Sequence, residues 1–177
     1  YSSPRPRRTW NGSGGSVGPS CPLADTWKGR EDLLHTRVAR DVRESLRSLA
    51  FETSIDTSRY VVVGVGATAS IAVEAADLDS RVAALVLISP RPEPLTQGPM
   101  RARIRRIGRP IFFQVGPEDF EYADVTDALY QAGNRSASRV AEAKLNGHGP
   151  AQFHGEPAVA ARLTRWLSET LTSGRPK

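Results

Sequence analysis

The sequence predicts an α/β fold, a mostly parallel sheet of about four strands with helices on both faces. Two observations carry this. Apolar, β-branched runs recur at 60–63, 82–88 and 111–115, with a weaker one at 140–145. Amphipathic or small-residue segments separate most of them. Strands that are apolar throughout are those buried on both faces, and parallel neighbours need a crossover between them.

The elements follow in chain order. Residues 1–30 are dominated by Gly, Ser, Pro and Arg and read as a loop or extended segment. Residues 31–177 form the α/β domain. From Asp32 to Leu49, Leu34, Val38, Val42, Leu46 and Leu49 recur every three or four residues with arginines between them, the period of an amphipathic helix. Asp56-Thr57-Ser58 marks a loop. Tyr60–Val63 reads as a buried strand, Gly64 as the start of a turn, and the small residues from Ala67 to Ala76 as a helix. Val82–Ile88 is the second strand. Residues 91–109 crowd Arg91, Arg101, Arg103, Arg105, Arg106 and Arg109 among Pro92, Pro94 and Pro99, show no core face, and are expected to be a loop. Ile111–Val115 is the third strand, Asp124–Ala132 a helix, and Val140–Leu145 the fourth strand. A closing helix from Pro157 to Leu171 puts Val159, Leu163, Trp166 and Leu167 on one face, with Pro157 in its first turn.

Composition narrows the functions. At 177 residues and 39% hydrophobic, the chain is one domain. No apolar run approaches the ~20 residues of a membrane span, and no apolar signal core lies near the start, so a cytoplasmic protein without a membrane partner is expected. The chain opens on Tyr1, which reads as a fragment or a processed chain. Its early Gly and Pro would make a poor amphipathic transit helix. The single cysteine, Cys21, excludes an internal disulfide and a Cys-built zinc site. It sits in a loop with no adjacent base. Three histidines leave little for another metal cage. A formal charge of +5 is modest, and the arginines at 101–109 read as a solvated basic face rather than a nucleic-acid site.

Chemistry in an open parallel sheet sits at the carboxyl ends of the strands. Gly64 to Ala69 has two readings there. As G-x-G-x-x-A between strand and helix it matches a dinucleotide fingerprint, but the next strand ends in Ser89-Pro90-Arg91, where that reading needs an acid. As the strand–turn–helix of a nucleophile elbow, with Asp119 after the third strand and His148 after the fourth, it follows the order nucleophile, acid, histidine.

With those residues in place, the stretch from Trp10 to Leu171 resembles the α/β-hydrolase superfamily, nearest its dienelactone-hydrolase-like serine hydrolases. Gly12-Ser13-Gly14-Gly15-Ser16 resembles the family's G-x-G-x-S turn, and Asp41–Leu49 its helix before the elbow. Ile55–Arg59 is similar to its lead into the nucleophile strand, Arg81–Pro90 to its next strand, Gly116–Asp119 to its acid loop, and Trp166-Leu167 to its last helix. The resemblance implies a partial α/β-hydrolase fold, a serine hydrolase-like layout acting on esters or lactones, and no cofactor or metal. It places Gly66 at the nucleophile position, Asp119 (with Glu118 as alternative) as the acid, His148 as the base, and the Ala67 N–H in the oxyanion hole.

Two departures follow. Gly66 has no side chain to attack a carbonyl. The strands that precede the G-x-G-x-S turn in the family, and with them one oxyanion donor, have no counterpart in Tyr1–Asn11. Thr68 and Ser70 carry nearby hydroxyls but are expected to face the helix. His35 and His154 read as surface or capping histidines, and Trp10 as core or loop. The expectation is a catalytically impaired hydrolase, a pseudoenzyme that takes a small ester-like ligand. Its elbow strand, open on one side, pairs with a second copy or a missing N-terminal half. The alternatives are a dinucleotide-binding module at Gly64–Ala69, a non-catalytic scaffold, and a working hydrolase whose Gly66 is altered or whose missing half is another chain.

Overall fold

The computed structural model describes residues 29–52, 54–91, 94–117, 119–142, 147–154 and 156–173. The expectations for Trp10, Cys21 and Glu118 lie outside these residues. The chain divides into two units, Tyr1–Leu34 and His35–Lys177. In the first, Gly29 turns with a φ of 76°. The second is the α/β domain.

Helix α1 (Glu31–Leu49) leads into β1 (Tyr60–Val65), α2 (Thr68–Leu78), β2 (Val82–Ile88), α3 (Pro94–Ile107), β3 (Ile111–Val115), α4 (Phe120–Ala132), β4 (Arg139–Glu142), a 3₁₀ turn (Gly149–Phe153) and α5 (Pro157–Ser173). The four strands pair in parallel in the order β1-β2-β3-β4. Among the described residues no strand pairs with the other side of β1, and Val63 on it is 54% exposed.

The two-residue period of a strand sorts the sheet's side chains onto two faces. On one, Leu85, Leu87, Ile111 and Phe113 pack with Ala72 and Val73 of α2, Met100 and Ile104 of α3 and Leu129 of α4. On the other, Ala84, Val86, Ile88 and Phe112 pack with Trp166 of α5. Phe112 and Phe113 are neighbours in sequence, yet the first meets the Trp166 ring at 5.4 Å and the second meets Tyr130 edge-on at 6.2 Å. Helices therefore cover both faces. No helix among the described residues is long and apolar enough to cross a membrane.

The expected loop at 91–109 is instead largely the helix α3. Its core face was too sparse to read, because Met100 and Ile104 are its only fully buried apolar residues among those described. The arginines expected to be solvated are partly used inside the protein. Arg103 reaches Glu74 at 3.3 Å, Arg106 grips Asp77 with two N–H groups, and Arg109 donates to the Asp79 carbonyl at 2.9 Å. These contacts tie α3 to α2 and to the turn before β2.

The Arg106 hydrogen bond, with the charges of Arg103 and Arg109, holds the Asp77 carboxyl below the usual carboxylate range against a smaller opposing effect of burial. A folded-state pKa below the unfolded one stabilises above the unfolded value, and that gain disappears as pH falls through the folded value. Asp77→Asn is accordingly expected to lower the melting temperature by a few degrees at pH 7, and the gap between the two proteins is expected to narrow as the pH is taken down into the acid range. Thermal unfolding across that pH range checks this.

Candidate active site

The site is built where β1, β2, β3 and β4 end. After β1 the chain turns at Gly66, whose φ of 55° lies in the left-handed region, where glycine alone pays no Cβ penalty. The turn is pinned to the exit of β2: Gly66 N–H donates to the Ile88 carbonyl at 2.9 Å, and the Gly66 carbonyl accepts from Arg91 N–H at 3.2 Å. A Cβ built on Gly66 would meet nothing within 4 Å. Ala67 caps the N-terminus of α2, where backbone N–H groups lack intrahelical acceptors.

Gly64 has a different task. A Cβ there would fall 2.6 Å from Ala69 Cα and 2.8 Å from Ala72 Cβ, so α2 lies directly on the β1 backbone. Gly64→Ala is expected to push helix and strand apart and to cost about 1–3 kcal/mol, read from the shift of the urea midpoint.

The two hydroxyls near the turn are engaged locally. Thr68 Oγ1 accepts from Val65 N–H and donates to the Val65 carbonyl, both at 2.9 Å, and Ser70 Oγ donates to the Ala67 carbonyl at 3.0 Å. Neither is poised as a substitute nucleophile.

Asp119, after β3, and His148, after β4, come together. His148 Nδ1 lies 3.2 Å from Asp119 Oδ2, with the carboxylate 15% exposed and the imidazole 51%. The loops bearing them touch at backbone level, because a Cβ on Gly116 would strike the Gly147 carbonyl at 2.4 Å. A Cβ on Gly149 would sit 3.3 Å from Val65 Cγ1, which brings the histidine turn alongside the end of β1. His154 ends the 3₁₀ turn and is exposed.

Three residues of the cluster were not singled out from sequence. The Tyr122 ring lies 4.5 Å from the His148 ring, centroid to centroid. Ser89 is fully buried at the end of β2, its Oγ 3.0 Å from Asp119 Oδ2 and 3.2 Å from Gly149 N–H. The Gln152 amide lies 2.7 Å from the same oxygen. Reversed, that amide would accept from Gly116 N–H at 3.3 Å and from the Ser89 hydroxyl at 2.7 Å, and donate to the Val115 carbonyl at 3.2 Å. A carboxylate opposite the hydroxyl selects the amide N–H facing Ser89, since a serine has one proton to give and Asp119 receives it. Tyr122 could have been sought three residues along the helix from Asp119, and Ser89 as a polar residue closing an apolar strand.

An imidazole bonded through Nδ1 to a carboxylate leaves Nε2 to take or give a proton. Among the described residues no group of His, Cys, Asp and Glu is arranged to hold a metal ion. No protein-family model matches the chain, and no curated protein matches it.

Proposed function

We propose that this chain is an α/β-hydrolase-like domain of serine-hydrolase layout whose nucleophile position is Gly66. It retains the acid and the base, takes a small ester- or lactone-like ligand, and turns it over poorly. The observation that carries this reading is the 3.2 Å contact between Asp119 and His148, made by residues following successive strands in triad order. The left-handed backbone of Gly66 supports it, as a residue with a Cβ would be strained there in the way a nucleophile elbow strains its serine. Without a serine no acyl-enzyme forms, and the remaining route is His148 drawing a proton from water, aided by the Ala67 N–H.

The strand order argues against the dinucleotide reading. A dinucleotide site lies where the order of strands reverses, and among the described residues β1 to β4 run in sequence without a reversal. The glycine at 64 is needed by the packing of α2 whether or not a phosphate binds. In the same reading the side of β1 that has no partner strand among the described residues is an edge for another strand.

A fluorophosphonate probe tests the proposal. The native protein is expected to show no labelling, and titration with NAD or NADP no saturable binding. Stoichiometric labelling at Thr68 or Ser70, or micromolar dinucleotide binding, would overturn it.

A further inference from the structure

We propose that Ser89 is a positioning residue for the Asp119–His148 pair, its buried hydroxyl joining the acid loop to the histidine turn. The inference rests on the reading of that pair as an acid–base couple. Ser89 Oγ donates to Asp119 Oδ2, the oxygen that His148 Nδ1 also meets. It accepts from Gly149 N–H, the residue after His148, and from the Gln152 amide one turn further on. One hydroxyl thus spans the ends of three strands and uses its full capacity of one donated and two accepted bonds.

Its backbone is the second observation. Ser89 has a φ of 42° and is the only described residue other than glycine with a positive φ. Such a conformation is costly for a residue with a Cβ and persists where its surroundings over-determine it. Ser89 N–H donates to the Gln114 carbonyl at 2.8 Å, so the residue is fixed at the strand end while its hydroxyl points into the cluster. A glycine would suit the backbone better. The hydroxyl is what glycine lacks.

The consequence falls on His148. A carboxylate held by Ser89 keeps Oδ2 facing Nδ1, and the neutral imidazole then carries its proton on Nδ1 with Nε2 free as the base. Without Ser89, the half-exposed imidazole is the one side chain left bonded to the carboxylate among the described residues.

Imidazole ¹⁵N NMR of the full chain, with the His148 signals assigned by His148→Gln, tests this. In its neutral form, native His148 is expected as the Nδ1–H tautomer, and Asp119→Ala is expected to shift it to the mixture of free imidazole. Ser89→Gly, which relieves the backbone, is expected to change the tautomer ratio about tenfold in the same direction, the scale of one charge-assisted hydrogen bond. Ser89→Ala should do the same. A native ratio that Asp119→Ala leaves unmoved would defeat the acid–base reading itself. A ratio that moves with Asp119→Ala but not with Ser89→Gly would overturn the role of Ser89 alone. Loss of the native fold in both Ser89 variants would overturn it as well, since the residue would then serve the sheet rather than the histidine.

Discussion

Gly66→Ser is expected to convert a protein that fluorophosphonates do not label into one that they do, and to raise ester hydrolysis by at least about a hundredfold. Removal of a triad serine costs on the order of 10⁶ in kcat, so a gain of a few orders of magnitude is a partial return. Room exists for the new side chain, because a Cβ at position 66 meets nothing within 4 Å. His148, the proposed base, already meets the Asp119 carboxylate. Full recovery is not expected, since the proposed reading supplies one oxyanion donor, the Ala67 N–H, and removal of a single donor elsewhere costs about 10²–10³. The double variant Gly66→Ser, His148→Ala should fall back to the native rate. Equal labelling of the single and double variants would show that His148 does not act on the new serine.

The largest expected effect on stability is that of Phe113→Ala. Phe113 is fully buried in the middle of β3, between the helices and the sheet, with Tyr130 edge-on to its ring. Truncating such a ring costs about 3–5 kcal/mol, against a total of about 5–15 for a domain. A fall in melting temperature of about 10 °C is expected for a chain of this size. Val63→Ala is the fitting contrast. Val63 is 54% exposed on β1, and a change there should stay within about 0.5 kcal/mol. Calorimetry of the two variants separates core from edge.

The sheet was legible because burial on both faces leaves a local mark. Runs such as Val82–Ile88 and Ile111–Val115 are apolar at every position or nearly so, and their observed bounds match those runs. The fourth strand, with exposed Val140 and a described span of Arg139–Glu142, carries a fainter mark. Helix α3 was missed for a physical reason. Its arginines look like a solvated run, yet Arg103 and Arg106 are matched by Glu74 and Asp77 on α2, and that match exists only once the two helices are side by side. The same division holds at the site. Asp119 and His148 were legible as polar residues just past strand ends, flanked by the glycines that let their loops meet. Ser89 and Gln152 act through contacts between residues 63 positions apart in the chain, and nothing in the local sequence announces such a pair.

The relaxed turn at Gly66 also sets activity against stability. A serine placed at a φ of 55° gives up about 1–2 kcal/mol of backbone energy that glycine does not, enough to raise the unfolded fraction roughly five- to thirtyfold. The native residue is therefore the more stable choice at that position, and the variant that gains chemistry starts with a thinner margin against unfolding. A serine installed there would need compensation elsewhere in the core to restore that margin.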